Sequence, residues 1–94
     1  NLLENAAARG AQFKEGLEKI AKRYPFMTEV RGIGLMVGLG LDRPSKPFEA
    51  ALRERGLIAV ATGENVVRFL PPLNVTAGQV RKALRIIRAA AAAA

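Results

Sequence analysis

The stretch that decides the fold of this chain is Val66-Val67-Arg68-Phe69-Leu70-Pro71-Pro72-Leu73. Its alternation predicts a short β-strand, which must end at the prolines because proline has no N–H to donate to a sheet. Arg68 shares one strand face with Val66 and Leu70. A guanidinium among aliphatic side chains is costly unless an anion or several hydrogen bonds meet it. Two interpretations are therefore open. Either Arg68 binds an anion such as a substrate carboxylate through two parallel hydrogen bonds, or it lies on an edge strand with its tip in water.

Length and composition predict a single globular domain. The chain has 94 residues, of which 50% are hydrophobic, so it can bury a modest core. It contains no cysteine and no histidine, which excludes disulfides, thiolate metal sites and any Ser-His or Cys-His catalytic pair. No apolar run approaches the roughly 20 residues that span a bilayer, and no signal-peptide pattern opens the chain. We therefore expect no membrane partner.

The formal net charge is +7, which is compatible with nucleic acid, an anionic substrate or an acidic partner surface. Four of the cations fall in the C-terminal segment: Arg81, Lys82, Arg85 and Arg88. Aromatic residues make up only 5% of the chain, and no aromatic RNA-binding strand motif is present. Nucleic acid is therefore the weaker interpretation of the charge.

A hydrophobic stripe at steps of three and four residues predicts a helix from Asn1 to about Arg23, ended by Pro25. Gly10 lies on this stripe, where we expect it to mark close packing. The segment has no obvious N-cap, which leads us to expect further sequence upstream.

Two more helices are predicted in the second half of the chain. One follows the polar loop at residues 42–47, where Ser45 or a neighbour can cap it, and ends at Gly56. The other begins at a capping box made by Thr76 and Gln79. The alanine run after it either extends this helix or frays.

Four extended segments complete the pattern: 28–31, 33–41, 57–61 and the strand that contains Arg68. The first two join near Gly32. The predicted fold is α/β (α+β), with a small mixed or antiparallel sheet of about four strands packed against helices. The predicted order is α-β-β-α-β-β-α, in one domain at residues 1–94.

The second extended segment places Gly34, Met36, Gly38 and Gly40 on one face. Its aliphatic residues, Ile33, Leu35, Val37, Leu39 and Leu41, share the other face. Alternating glycines indicate that something packs closely against their face. A phosphate-binding loop is not predicted here, because the spacing is G-x-G-x-x-x-G and strand residues follow it instead of a helix.

The chain holds few candidate catalytic groups. None of its eight carboxylates is spaced to force a pair together, and none form a cluster for a divalent cation. The lysines fall on polar helix faces or in a loop, and not in the apolar surroundings that a Schiff-base lysine needs: Lys14, Lys19, Lys22, Lys46 and Lys82. Taken alone, the chain can bind an anion but lacks the parts to run a reaction.

Three motifs follow one another along the chain: Val30-Arg31-Gly32-Ile33-Gly34-Leu35-Met36-Val37-Gly38, Arg55-Gly56-Leu57-Ile58 and Gly63-Glu64-Asn65-Val66-Val67-Arg68-Phe69-Leu70-Pro71-Pro72-Leu73. In this order they resemble the C-terminal end of the class III aminotransferases, fold-type I enzymes that use pyridoxal phosphate. The opening Asn1-Leu2-Leu3-Glu4-Asn5-Ala6 resembles the helix that leads into that domain. The resemblance covers essentially the whole chain and is greatest to members that act on acetylornithine or ornithine.

The resemblance implies that Arg68 grips a substrate carboxylate. The family transfers an amino group between an ω-amino donor and 2-oxoglutarate, in arginine or lysine biosynthesis. The resemblance also implies that Arg31 lies near the join between domains, and we interpret Arg31, Gly32 and Gly34 as structural residues. The family's Schiff-base lysine and cofactor-binding loops lie upstream in a large domain. We therefore expect no catalytic, cofactor-binding or metal-binding residue in this chain, and pyridoxal phosphate only in the parent enzyme.

The first hypothesis is a carboxylate-binding small domain of a cytoplasmic, dimeric aminotransferase, inactive as the isolated chain. Its expected partners are the large aminotransferase domain, a second copy, and a carboxylate of 2-oxoglutarate or an amino acid. Without the large domain, apolar surface is left uncovered, and the face of Gly34, Gly38 and Gly40 is one candidate. Two alternatives stay open: a basic nucleic-acid-binding module, and a structural or designed fragment that keeps only the fold.

Overall fold

The computed structural model describes residues 1–94 and contains three helices and four strands. The helices are α1 (Leu2–Arg23), α2 (Ser45–Glu54) and α3 (Ala77–Ala93), and the strands are β1 (Met27–Ile33), β2 (Met36–Leu41), β3 (Val60–Thr62) and β4 (Val66–Phe69). The predicted order α-β-β-α-β-β-α and the predicted four-stranded sheet are confirmed. None of the helices combines the length and the apolar character that crossing a membrane requires.

The sheet is antiparallel throughout and has the spatial order β1-β2-β4-β3. Two hairpins, β1–β2 and β3–β4, therefore meet along the central pair β2–β4. Leu39 on β2 stands opposite both Val30 on β1 and Val67 on β4. Since residues directly opposite each other share a face, this register defines two faces across all four strands.

The helices cover one face of the sheet. Along β2 and β4 the buried residues alternate with exposed or half-buried ones, so one face packs in the core and the other does not. The buried face supplies Val37, Leu39, Leu41, Val67 and Phe69, and the helices supply Phe13, Leu17, Ile20, Phe48, Leu52, Val80 and Ile87. The rings of Phe13 and Phe69 meet edge to face, with centroids 5.3 Å apart. We call the opposite, helix-free side the open face.

The first helix is capped by Asn1, whose side chain accepts a hydrogen bond from the Glu4 N–H at 3.0 Å. The expectation of an uncapped start was wrong, because asparagine is itself a good N-cap residue. The close packing expected at Gly10 is confirmed. A Cβ at this position would clash with the carbonyl oxygen of Gly34.

The β1–β2 hairpin turns later than predicted. β1 continues to Ile33, and the turn falls at Gly34 and Leu35 instead of near Gly32. Gly34 has φ = 57°, a left-handed conformation that glycine adopts without steric cost. Ile33 therefore lies on β1 and is 86% exposed, so its predicted grouping with the core residues of β2 was wrong.

In the second half, the start of α2 and the extent of β3 differ from the prediction. Ser45 is the first residue of α2 and makes no cap hydrogen bond, because Pro44 occupies the cap position. The ending at Gly56 is confirmed, since this residue follows the helix with φ = 90°. β3 is shorter than the predicted segment at 57–61 and begins at Val60.

The predicted start of α3 is confirmed. The Thr76 side chain accepts from the Gln79 N–H at 3.1 Å, and the Gln79 side chain accepts from the Thr76 N–H at 2.9 Å. These two bonds make a complete capping box. The alanine run extends the helix to Ala93 and does not fray, with Ala90 and Ala91 buried.

Candidate functional site

Arg68 lies in the middle of a central strand. It stands opposite Gly38 on β2 and Val60 on β3, so β4 has a partner on each side. The expectation of an edge strand was therefore wrong, whereas the exposure of Arg68 agrees with the other part of that interpretation, a side-chain tip in water. Its neighbours Val67 and Phe69 are buried against the helices, which places Arg68 on the open face. The predicted sharing of one face is confirmed for Val66 and Arg68, which pair with Gly40 and Gly38 on β2, whereas Leu70 follows the end of β4.

The surroundings of Arg68 differ from the desolvated setting that its aliphatic neighbours predicted. The residue is exposed, and the ion pairs of the chain all involve other side chains. Its guanidinium also makes no hydrogen bond to another residue of the chain, which leaves its five N–H donors free. In this chain the charge keeps its hydration and carries little desolvation cost.

A second arginine lies on the same row of the sheet. Arg31 on β1 stands opposite Gly38, so Arg31, Gly38, Arg68 and Val60 cross the open face in line. The two arginine backbones are about 10 Å apart, because neighbouring strands are spaced by about 4.8 Å. The Arg31 Nε donates to the Glu29 carboxylate at 2.8 Å, and the side chain is 81% exposed. We call this set the arginine row.

Gly38 leaves open space between the two arginines. A Cβ at this position would meet only Cγ1 of Val66, at 3.9 Å, which is an ordinary contact. Gly40 is more crowded, since its Cβ would lie 3.2 Å from Oγ1 of Thr28. The close partner predicted for the glycine face is therefore not supplied by this chain at Gly38.

Large apolar residues are exposed at one end of the sheet. Ile33 (86% exposed) and Met36 (49%) stand opposite each other on the open face at the β1–β2 hairpin. Leu70 (58%) and Ile58 (74%) lie outside the strands and line an apolar groove beside Pro71 and Pro72. Their alternation with buried neighbours was visible in the sequence. Which of the two faces the helices would cover was not, so these residues could not be recognised as exposed.

The clefts of the molecule do not contain the two arginines. The largest, of about 700 Å³, lies at the start of α2 and is lined by both charges of the Asp42–Arg43 ion pair. A mainly apolar groove of about 430 Å³ lies beside Pro71 and Pro72. The candidate anion site is thus an open surface, and enclosing a ligand there requires a second surface.

No group of three His, Cys, Asp or Glu side chains is placed to hold a metal ion. A Schiff-base lysine for pyridoxal phosphate needs apolar surroundings that lower its pKa, and the lysines of this chain lack them. None is buried: Lys14 is half-buried, and Lys19, Lys22, Lys46 and Lys82 are exposed. The residues of this chain therefore do not fit a pyridoxal phosphate site.

With this fold and this site, comparison with known proteins identifies the family. The aminotransferase class-III family matches residues 1–91. The chain therefore belongs to the class III aminotransferases, as its motifs indicated. Enzymes of this family use pyridoxal phosphate.

Curated relatives with the same name match nearly the full length of the chain. Acetylornithine aminotransferase of Prochlorococcus marinus is 44% identical over 95 residues, which cover 95% of this chain and 22% of that protein. The Bacillus subtilis acetylornithine aminotransferase is 40% identical over 92 residues and is covered to 24%. The chain thus spans about a quarter or less of the length of these relatives.

Solved structures of the family share the fold. Acetylornithine aminotransferase from Elizabethkingia anophelis superposes with a TM-score of 0.93 at 31% identity, over 99% of this chain and 26% of that one. Ornithine delta-aminotransferase of Plasmodium falciparum superposes with a TM-score of 0.91 at 30% identity, over 97% of this chain and 24% of that one.

Proposed function

We propose that this chain is the small, substrate-carboxylate-binding domain of an acetylornithine- or ornithine-type aminotransferase. The observation that carries the proposal is Arg68, an unpaired guanidinium in the middle of a central strand on the open face. In the proposal, Arg68 binds a carboxylate of the amino acid or of 2-oxoglutarate through two parallel hydrogen bonds.

The position of Arg68 suits this role in two respects. A central strand is held by hydrogen bonds on both sides, so the backbone beneath the guanidinium is rigid. The guanidinium also has no internal carboxylate to compete with a ligand, whereas Arg31 is already paired with Glu29. We therefore assign the ligand to Arg68, and assign Arg31, Gly32 and Gly34 to the framework of the domain near its join with the rest of the enzyme.

The remainder of the enzyme completes the active site in this proposal. It holds pyridoxal phosphate, which supplies the chemistry of amino transfer when bound, and it covers the open face. The parent enzyme acts as a cytoplasmic dimer in arginine or lysine biosynthesis. The isolated chain has no buried lysine and is inactive. Accordingly, we expect the 94-residue chain, incubated with pyridoxal phosphate, an amino donor and 2-oxoglutarate, to give no product and no change in cofactor absorbance.

The test replaces Arg68 in the complete enzyme. Arg68→Met keeps the length of the side chain but removes its charge, and we expect KM for 2-oxoglutarate to rise about 10- to 100-fold, the size of a lost charge-assisted hydrogen bond. Arg68→Lys restores the positive charge but not the planar guanidinium that can make two parallel hydrogen bonds. We therefore expect its KM to lie between those of the parent enzyme and Arg68→Met.

The matched control is Arg53→Met on α2, where the guanidinium pairs with Glu49 at 2.7 Å. This variant keeps the KM of the parent enzyme. An unchanged KM in Arg68→Met, with the control behaving as expected, contradicts the proposed carboxylate site.

A further inference from the structure

The outer side of α3 carries a line of exposed arginines. Arg81, Arg85 and Arg88 follow steps of four and three residues, which place side chains on one side of a helix. With a rise of about 1.5 Å per residue, the line is about 10 Å long. Lys82 is exposed beside it. We call these four residues the α3 cationic face.

The α3 cationic face has no anionic partner within the chain. The ion pairs of the chain all involve other side chains, and its arginine hydrogen bonds all start from residues outside α3. The sequence of α3 contains no Asp or Glu that could neutralise the cations. Like charges one turn apart disfavour a helix. These arginines therefore do not stabilise the fold through one another, and their N–H donors are free for a ligand.

The rest of the same side of α3 consists of small residues. Gly78, Ala89 and Ala92 are exposed among the cations, and no large apolar side chain of α3 is exposed. A protein partner normally buries aromatic or large aliphatic side chains at the centre of its contact, and binding to a membrane surface needs an apolar helix face. The α3 cationic face offers no such side chains, so its attraction for a partner is electrostatic.

We propose that the α3 cationic face binds duplex nucleic acid through the phosphate backbone. Duplex DNA carries one negative charge per about 1.7 Å of its axis, so a length equal to the arginine line presents about six phosphates. Arginine suits this partner because its planar guanidinium binds a phosphate oxygen pair through two parallel hydrogen bonds. The formal net charge of +7 adds a long-range attraction for the same polyanion.

The composition of the helix favours a duplex over a single strand. Single-stranded nucleic acid is bound largely by stacking of its bases on aromatic side chains, and α3 contains no aromatic residue. In a duplex the bases are already stacked, and contacts to phosphates carry no sequence information. The binding is therefore independent of base sequence. It does not use Arg68, which lies on the open face, whereas α3 packs against the other face of the sheet.

The test measures binding of the complete enzyme to a fluorescently labelled DNA duplex of about 20 base pairs by anisotropy, at several salt concentrations. Three variants remove the arginines one after another: Arg85→Gln, then Arg85→Gln with Arg88→Gln, then both with Arg81→Gln. Glutamine retains a helix propensity close to that of arginine. The matched control for the double variant is Lys19→Gln with Arg53→Gln, which removes two cations that are each paired with a glutamate.

We expect the slope of log K against log salt concentration to become shallower by about 0.9 for each arginine removed, because each phosphate contact releases a condensed counterion. The control should change the slope by less than the double variant on α3. Transaminase activity should stay that of the parent in all variants, so the result does not depend on the proposed role of Arg68.

Three results would overturn the proposal. The first is a slope that the triple variant leaves unchanged, or that the control changes as much as the double variant. The second is tighter binding of single-stranded DNA of the same length. The third is displacement of the duplex by an equal concentration of a glutamate-rich peptide of the same net charge, which would identify an acidic protein as the partner.

Discussion

Single glycines in this chain meet two different physical requirements, and one glycine meets neither. Gly34 supplies the positive φ of a hairpin turn, and Gly10 supplies the missing Cβ that lets α1 approach that turn. Gly38 has neither constraint, because its φ is not positive and a Cβ there meets only Val66 at 3.9 Å. Nothing within the chain therefore requires a glycine at this position, which lies between Arg31 and Arg68 in the sheet.

The contact between Gly10 and Gly34 predicts a large cost for one methyl group. Gly10→Ala places a Cβ in steric conflict with the carbonyl oxygen of Gly34, and this oxygen belongs to backbone that cannot rotate away. Overpacking of this kind costs about 1–3 kcal/mol, which exceeds the gain in helix propensity. Urea denaturation should therefore show a lower free energy of unfolding.

The control for this change is Gly78→Ala in the first turn of α3. Its Cβ would meet Nη2 of Arg81 at 3.6 Å, an ordinary contact with a movable side chain. Alanine favours a helix by up to about 1 kcal/mol over glycine, so this variant is at least as stable as the parent. If Gly10→Ala also unfolds with the free energy of the parent, α1 does not pack as closely against the β1–β2 hairpin as described.

Among the secondary-structure elements, α1 and the segment after β4 are held together by side-chain amides. Pro71 and Pro72 have no N–H, so this segment has few donors of its own. The amide of Asn5 satisfies the carbonyl oxygens of Leu73 and Val75, and that of Gln12 donates to Ala77 at 3.1 Å. These bonds fix where the chain travels after the strand that carries the arginine.

Asparagine-to-aspartate changes at Asn5 in α1 and at its N-cap, Asn1, distinguish an amide that donates hydrogen bonds from one that only accepts them. At Asn5 the side chain donates, so Asn5→Asp sets a carboxylate against two carbonyl oxygens and loses both bonds. We expect the free energy of unfolding at pH 7 to fall by about 1–3 kcal/mol. At Asn1 the side chain only accepts, from the N–H of Glu4, so Asn1→Asp leaves stability unchanged or raises it slightly. Equal effects of the two changes on the free energy of unfolding would mean that Asn5 does not donate to the carbonyl oxygens of Leu73 and Val75.

The elements that could be predicted from the sequence are those set by local interactions. The capping box at Thr76 and the stripe of α1 depend on residues a few positions apart, and both are confirmed. The exposure of Arg68 could not be predicted, because alternation groups residues on a face without saying which face the helices cover. The central position of β4 depends on long-range pairing with β2, which no local pattern encodes. The hairpin turn was misplaced because Gly32 and Gly34 are equally permissive, and only packing against Gly10 distinguishes them.

Over the whole molecule, positive charge is distributed unevenly between the two sides of the sheet. α3 carries Arg81, Lys82, Arg85 and Arg88, has no acidic residue, and makes none of the ion pairs of the chain. Elsewhere on the helices, Lys19 and Arg53 are each paired with a glutamate one turn away. The outer side of α3 is therefore the most electropositive helix surface, and it faces away from the open face.

This asymmetry predicts how the chain interacts with polyanions. Arg81→Gln with Arg85→Gln, and Lys19→Gln with Arg53→Gln, each lower the formal net charge of +7 by two. We expect the α3 double variant to elute from a heparin column at lower salt than the other, because unpaired neighbouring cations release more counterions on binding than cations already neutralised by glutamate. Elution of both variants at the same salt concentration would mean that net charge alone governs retention. A nucleic-acid function would require more than this retention, namely a preference for one sequence or structure that survives at moderate salt, since phosphate contacts alone carry no sequence information.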